Sequence, residues 1–238
     1  MSPTTMDFTT KFVRSKNPCA QGYRWFVRNH QEGGDYQQVL DALVEAGRID
    51  DACWLLNQFG PTDAVLKLDA VEAEALVFAG SIEVRGGIEV NSLVRAGRSI
   101  RAGGGIRAGR TIIAGEDIQA GAAIRSSDTL ESGGDVRSEM SIETLGAIRC
   151  GGGLRALWDV TCGGKFDAVD KVLVGQDLVV EGAIACGKDL HVRGAITGSD
   201  SIHARQGILC GASLRCALHL EAGLGIKATD SIIAGGSI

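Results

Sequence analysis

Cysteine, histidine and glycine are the residue types that could carry chemistry in this chain of 238 residues. Thiols and imidazoles bind zinc when they occur in closely spaced pairs, and the sequence has no CxxC pair. Five of the seven cysteines instead share one recurrent position of a regular repeat. They are Cys150, Cys162, Cys186, Cys210 and Cys216. We therefore expect buried, reduced thiols, with no metal site and no other cofactor.

The repeat is six residues long and runs without interruption from Leu76 to Ile238. Every sixth residue is apolar, and a small residue follows two positions later in most repeats, as in Ile100 and Ala102. Side chains at i and i+2 point to the same side of a strand, and a period of six is too short for a helical solenoid. Each hexad therefore predicts one short strand and one corner. The 34 glycines suit such corners, because glycine accepts positive φ angles.

Three hexads make one coil if the cross-section is triangular, so that residues 18 apart in the sequence stack at about 4.8 Å. The sequence thus predicts a mainly β fold: a single-stranded β-helix over residues 62–238. A right hand is favoured, and nine coils would form a rod of about 43 Å.

Residues 17–61 have a different pattern, in which three short apolar segments lie between helix caps and helix breakers. These punctuating residues are Asn17-Pro18, Gly33-Gly34-Asp35, Gly47 and Gly60-Pro61. They predict a three-helix unit with helices near 17–29, 36–46 and 50–58. A solenoid needs terminal caps because its first strand edges would otherwise pair with other chains. We expect the unit to be such a cap, and a second hypothesis is that it also docks a partner.

Residues 1–16 show no clear periodicity and are expected to form a loosely held arm or a short strand. No apolar stretch approaches the roughly 20 residues needed to span a bilayer, and the N-terminus lacks the apolar core of a signal peptide. Cytoplasmic residence without a membrane partner is the resulting expectation. Residues 1–75 hold 7 basic and 11 acidic groups and residues 76–238 hold 17 and 18, so direct nucleic-acid binding is not expected.

Left-handed hexapeptide acyltransferases share the six-residue period, but their small residue precedes the large aliphatic one by two positions. In this chain the preceding position is often large and polar, as at Arg98 and Lys188. Acyl transfer by His191, His203 or His219 is therefore not expected.

The segments 177–184 (DLVVEGAI) and 189–196 (DLHVRGAI) resemble bactofilins. The resemblance covers the solenoid and leaves out the helical unit. It implies a right-handed triangular β-helix, and it implies end-to-end self-association as a structural scaffold.

Catalysis is not expected from this chain. Enzymes built on β-helices place their sites on loops inserted between coils, and 28 consecutive hexads carry no insertion. The Gly103–Gly105 segment falls at a corner, and no phosphate-binding GxxxxGK[ST] motif is present. We therefore expect a non-catalytic solenoid that occupies the surface of a partner protein, as inhibitor, immunity or anti-defence proteins do. A bactofilin-like, self-associating scaffold is the alternative.

One corner is the candidate site for that partner. Met140 and Trp158 are 18 residues apart, with Leu157 beside them and Arg137 and Arg155 flanking them. An exposed Trp with Met and Arg neighbours is typical of an interface hot spot. The alternative is that Trp158 folds over Leu157 and shields a widened corner.

The last coil is a second candidate contact surface. Ile232 and Ile238 fall on inward positions with no polar cap after them. Exposed strand edges and apolar side chains favour pairing with another chain. We expect a homodimer, or a contact with a partner, through this end.

Overall fold

Four short helices precede the solenoid in the computed structural model, which describes residues 9–30 and 34–238. The helices are α1 (Thr10–Ser15), α2 (Ala20–Asn29), α3 (Tyr36–Glu45) and α4 (Ile49–Phe59). Their shared core includes Val39, Leu40 and Ala52, each 0% exposed. None of the described helices is both long and apolar enough to cross a membrane.

The caps of α3 and α4 follow the sequence signals. Asp35 begins α3, and its carboxylate accepts hydrogen bonds from the backbone N–H groups of Gln37 and Gln38 at 3.0 and 3.3 Å. Gly47 and Gly60 follow α3 and α4 with φ angles of 69° and 79°, the left-handed conformation that favours glycine. The three predicted helices are therefore confirmed as α2, α3 and α4.

The prediction of an arm over residues 1–16 is wrong where α1 forms, and the first eight of these residues lie outside the described part. Thr9 caps α1 by accepting a hydrogen bond from the N–H of Phe12 at 3.2 Å. Val13 is 2% exposed, and the Phe12 ring packs edge-on against Phe59 with ring centroids 5.1 Å apart. Two apolar residues are too few to show a helical period in sequence, although they suffice to dock a short helix.

The predicted start of α2 is also corrected. Asn17 has a φ of 53° and lies in the turn after α1, where its N–H donates to the carbonyl of Arg14 at 3.2 Å. Asparagine tolerates this left-handed conformation, so it ends one helix and does not begin the next. Pro18 precedes the true cap, Cys19, whose Sγ accepts a hydrogen bond from the N–H of Gly22 at 3.2 Å.

Twenty-nine short strands follow, most of them three residues long. The first coils contain β1 (Val65–Leu68), β2 (Val71–Ala73), β3 (Leu76–Phe78), β4 (Ser81–Val84), β5 (Ile88–Val90), β6 (Val94–Ala96), β7 (Ile100–Ala102), β8 (Ile106–Ala108) and β9 (Ile112–Ala114). The middle coils contain β10 (Ile118–Ala120), β11 (Ile124–Ser126), β12 (Leu130–Ser132), β13 (Val136–Ser138), β14 (Ile142–Thr144), β15 (Ile148–Cys150), β16 (Leu154–Ala156), β17 (Val160–Cys162), β18 (Phe166–Ala168) and β19 (Val172–Val174). The remaining coils contain β20 (Leu178–Val180), β21 (Ile184–Cys186), β22 (Leu190–Val192), β23 (Ile196–Gly198), β24 (Ile202–Ala204), β25 (Gly207–Cys210), β26 (Leu214–Cys216), β27 (Leu220–Ala222), β28 (Gly225–Ala228) and β29 (Ile232–Ala234).

Every third strand belongs to the same parallel sheet, which gives three faces. Sheet A runs from β1 to β28 with ten strands, sheet B from β2 to β29 with ten, and sheet C from β3 to β27 with nine. Ile118 pairs with Ile100 on one side and with Val136 on the other, a register of 18 residues. The predicted parallel β-solenoid of about nine coils is therefore confirmed. A right hand stays a prediction, since this pairing register suits either hand.

The inward aliphatic residue of each hexad forms the core. Ile82, Ile118, Ile148 and Leu190 are each 0% exposed. Burial of one such side chain contributes about 1.5 to 3 kcal/mol. The stacked column of these residues is therefore the main apolar contribution to the stability of the solenoid.

Hydroxyl and thiol groups at the small inward position bond to the corners. The Ser138 hydroxyl donates to the carbonyl of Ala122 at 2.8 Å, and the Cys186 thiol donates to the carbonyl of Asp170 at 3.3 Å. These bonds satisfy corner carbonyls that the strand ladders leave unpaired. The five solenoid cysteines are free and buried, as predicted, and burial raises the pKa of Cys150 to about 12.

Corner glycines have a role that differs from the predicted one. None of the described solenoid glycines has a φ in the left-handed region. A Cβ on Gly175 would lie 1.9 Å from the carbonyl oxygen of Leu157, one coil earlier. Close approach of successive coils, and not positive φ, is therefore what favours glycine at this corner.

The helical unit covers the first strand of sheet C. The side-chain amide of Gln37 donates to the carbonyl of Val77 at 3.0 Å and accepts from the N–H of Ala79 at 2.9 Å. A preceding parallel strand would make the same two bonds. Val77 points outward from the solenoid yet is 1% exposed, because the helices pack on it. The predicted cap is thus confirmed, with four helices instead of three.

Ile148→Asp tests the register of the core. The new carboxylate would lie between Leu130 and Phe166 without a partner, so we expect a loss of about 3 kcal/mol or more in the free energy of unfolding. Urea denaturation followed by circular dichroism measures this loss. Val179→Asp is the matched control, because Val179 is 41% exposed and the same change there should cost less than about 1 kcal/mol. Equal losses in both variants would show that the inward assignment is wrong.

The cysteines give a second prediction. Cys150→Ala and Cys186→Ala should each cost about 1 kcal/mol or less, and Cys186→Ser should cost least because it retains a donor. At pH 8 a pKa of about 12 keeps the Cys150 thiol protonated. Thiol labelling with mass spectrometry should therefore modify the exposed Cys19 in the folded chain and Cys150 only after unfolding. Rapid labelling of Cys150 in the folded chain, or stoichiometric zinc in the purified protein, would contradict this.

Candidate functional site

The predicted hot-spot corner lies between sheets A and B on two adjacent coils. The N–H of Trp158 donates to the carbonyl of Met140 at 3.3 Å, and the N–H of Gln176 donates to the carbonyl of Trp158 at 3.2 Å. Trp158 is 46% exposed and Leu157 is 39% exposed, whereas Met140 is half-buried. The backbone bonds fix the corner, so the exposed aromatic ring projects from a rigid position.

The two predicted arginines lie side by side next to this corner, and their electrostatic situations differ. Arg137 pairs with Arg155 in the register of β13 and β16. An ion pair of 2.7 Å joins the Arg137 guanidinium to Asp135, whereas Arg155 forms no ion pair with any described residue. Arg155 is therefore the cation that remains open to a partner. All five residues predicted for the site are thus brought together on two coils.

A cleft of about 250 Å³ adjoins the corner on sheet A. Its lining residues are Arg155, Ala156, Leu157, Leu173, Val174, Gly175, His191 and Arg193. Leu157 faces the cleft from the corner, and Leu173 and His191 face it from the next two strands. Leu173, His191 and Arg193 were not among the predicted site residues. The signal that could have found them is the 18-residue ladder Arg155, Leu173, His191 read together with the neighbouring corner.

Several aspartate carboxylates accept hydrogen bonds from backbone N–H groups of the next coil. The Asp135 carboxylate accepts a hydrogen bond from the N–H of Gly153 at 2.8 Å, and the Asp177 carboxylate accepts one from Ala195 at 2.7 Å. Each lies just before a strand, where the N–H one coil later points at it. These carboxylates hold coils together, which the sequence analysis missed although the 18-residue spacing was available.

Two of the solenoid histidines, His203 and His219, each contact one polar side chain on the adjacent coil. His203 lies 3.2 Å from the Glu221 carboxylate, and His219 Nδ1 lies 2.8 Å from the Ser237 hydroxyl, each pair spanning adjacent coils. Within residues 9–30 and 34–238, no group of three His, Cys, Asp or Glu side chains could hold a metal ion. The pairs are thus ladder contacts between outward neighbours.

The last coil exposes its inward side chains. Leu220 is 2% exposed, whereas Ile232 is 37% exposed and Ile238 is 72% exposed. The structure places both predicted residues at the end of the solenoid farthest from the helices. This end therefore presents apolar side chains and the outer edges of β28 and β29.

Comparison with known proteins adds one finding, for the helical unit. Residues 6–59 match the family model described as the YdhT N-terminal domain. The matched segment ends with α4, so it coincides with the helices and leaves out the solenoid. No curated protein and no solved structure matches the chain. The helical unit is similar to a domain with its own family model, and it is joined here to a parallel β-solenoid of about nine coils.

Proposed function

We propose that the chain is a non-catalytic interaction protein whose solenoid occupies the surface of a partner protein, as an inhibitor, an immunity protein or an anti-defence protein does. The observation that carries this proposal is the exposed Trp158 and Leu157 corner beside a cleft with an unpaired arginine. Large aromatic residues next to arginine dominate the binding energy of many interfaces. The surrounding coils carry no inserted loops that would form an enclosed substrate cleft.

The chemistry of the corner indicates what kind of surface it fits. Leu157 and Leu173 offer apolar walls to a cleft of about 250 Å³, which suits one apolar side chain of a partner. Arg155 and Arg193 line the same cleft, and neither forms an ion pair with a described residue. A partner surface with an apolar side chain next to a carboxylate would match both features.

Rigidity supports the same proposal. Trp158 and Leu157 are held by backbone hydrogen bonds to the preceding coil, at 3.3 and 3.2 Å. A surface that is already ordered loses little conformational entropy when it binds. A rod with a fixed backbone can therefore bind tightly through a small number of residues.

A self-associating scaffold of the bactofilin type is the second candidate function. The exposed Ile232 and Ile238 side chains favour it, since strand edges next to apolar residues pair readily with another chain. The helices over β3 oppose it, because they cover part of the other end of the solenoid. The scaffold function would therefore rest on contacts between like ends, which form closed dimers.

Trp158→Ala tests the interaction proposal. Because the ring is exposed, the melting temperature should stay within a few degrees of the wild-type value, while partner affinity should fall by about 2 kcal/mol, or about 30-fold. The experiment compares proteins retained from source-cell extracts on immobilised wild-type and variant chains, followed by calorimetry with the retained partner.

Val169→Ala is the matched control, because Val169 is an apolar corner residue that is 68% exposed and lies outside the site. The proposal requires a partner that the control retains and Trp158→Ala loses. If Trp158→Ala lowers the melting temperature strongly and leaves binding intact, the ring shields the corner and the proposal is wrong.

Ile232→Lys tests the second candidate. If the last coil mediates a dimer, the mass of the 238-residue chain should rise with concentration in analytical ultracentrifugation, and the variant should remain monomeric. Lys171→Ala, on the side of the rod, should leave the association unchanged. A wild-type chain that is monomeric at about 1 mM, far above common affinities of stable dimers, would exclude the scaffold function.

A further inference from the structure

A cavity of about 370 Å³ lies inside the helical unit, apart from the corner on the solenoid. All four helices contribute to it. Its lining residues are Val13, Asn17, Pro18, Cys19, Gly22, Trp25, Phe26, Val39, Leu43, Asp50, Asp51, Trp54 and Leu55. A volume above about 300 Å³ with a mostly apolar lining is typical of sites for small molecules.

The walls of the cavity are aromatic. Trp25 on α2 and Trp54 on α4 are both half-buried, and Phe26 is 4% exposed. Buried Val39 and Leu43 on α3 complete the apolar part of the lining. Indole rings attract cations as well as apolar groups, because the ring face carries partial negative charge.

The rim of the cavity is acidic. Asp50 and Asp51 line it, and none of the lining residues is Lys, Arg or His. Asp51 forms an ion pair with Arg48, whereas Asp50 forms none with a described residue. The first turn of α4 stabilises both carboxylates. The exposed Asp50 carboxylate nevertheless has no ion-pair partner among the described residues, and it lines the same cavity as the two tryptophans.

The contact between α2 and α4 brings the Asp51 carboxylate, the neighbour of Asp50, close to α2. A Cβ on Gly22 would lie 3.2 Å from the Cys19 Sγ and 3.3 Å from the Asp51 carboxylate. Glycine at this position therefore allows α2 to approach the acidic turn of α4. The Cys19 Sγ lies 3.8 Å from the same carboxylate, so the rim is closed on this side by packed side chains.

We propose that this cavity is a binding site for a small organic amine. The apolar body of the amine lies against Trp25 and Trp54, and its ammonium head lies beside Asp50. A neutral molecule of the same shape loses the attraction of the carboxylate and of the indole rings, and an anion is repelled. This site is independent of the corner on the solenoid, so it holds whether or not the solenoid binds a protein.

Benzylamine and benzyl alcohol are the probes, since they share one shape and the amine is protonated at pH 7, as alkylamines are. The chain has three tryptophans, whose indole N–H signals are resolved by NMR and assigned with single Trp→Phe variants. Benzylamine should shift the signals of Trp25 and Trp54 and leave that of Trp158 in place. It should bind about threefold to fivefold tighter than benzyl alcohol, and the difference should shrink as salt is added.

Asp50→Asn should lower the affinity for benzylamine towards that for benzyl alcohol, so that only the part of the difference due to the indole rings remains. Glu45→Gln removes one negative charge from the same helical unit outside the cavity, and it should leave the affinity unchanged. Equal affinities of wild type for the two probes would overturn the proposal, as would an equal shift of all three indole signals.

Discussion

Backbone hydrogen bonds between successive coils are the constraint on which the rest of the solenoid depends. The N–H of Ile82, for example, donates to the carbonyl of Ser99 at 2.9 Å, and the same connection recurs along all three sheets. A shift of one residue would turn every inward aliphatic side chain outward. An insertion within a hexad would therefore disrupt the core. Exposed residues on the corners and faces are the positions that can vary without changing the register.

The repeat made most of the fold predictable, because a strict period of six specifies both strand pairing and burial. The ends of α3 were predictable as well, because Asp35 and Gly47 are residue types with a known geometry at helix ends. Helix α1 was not, since Val13 and Phe12 show no period and acquire their role only by contact with the rest of the helical unit. The role of Gly175 also escaped prediction, because the space beside it depends on the coil beneath.

The candidate sites also differ in how far the sequence could predict them. The corner of Trp158 and Arg155 could be found from sequence, since residues 18 apart must become neighbours. The cleft beyond it needed the structure, because Leu157 belongs to a corner and Leu173 to a face, and no single ladder contains both. The cavity of the helical unit could be found only in the structure. Its walls come from four helices, and the packing of these helices follows no sequence repeat.

The hydrogen bonds of the Gln37 side-chain amide bear on where folding of the solenoid can begin. In a solenoid each coil is stabilised mainly by its neighbours. Folding can therefore nucleate at one coil and propagate to the adjacent coils. Gln37 supplies β3 with both hydrogen bonds of a missing neighbour before any further coil exists. The helices can therefore act as the nucleus on which the first coil closes.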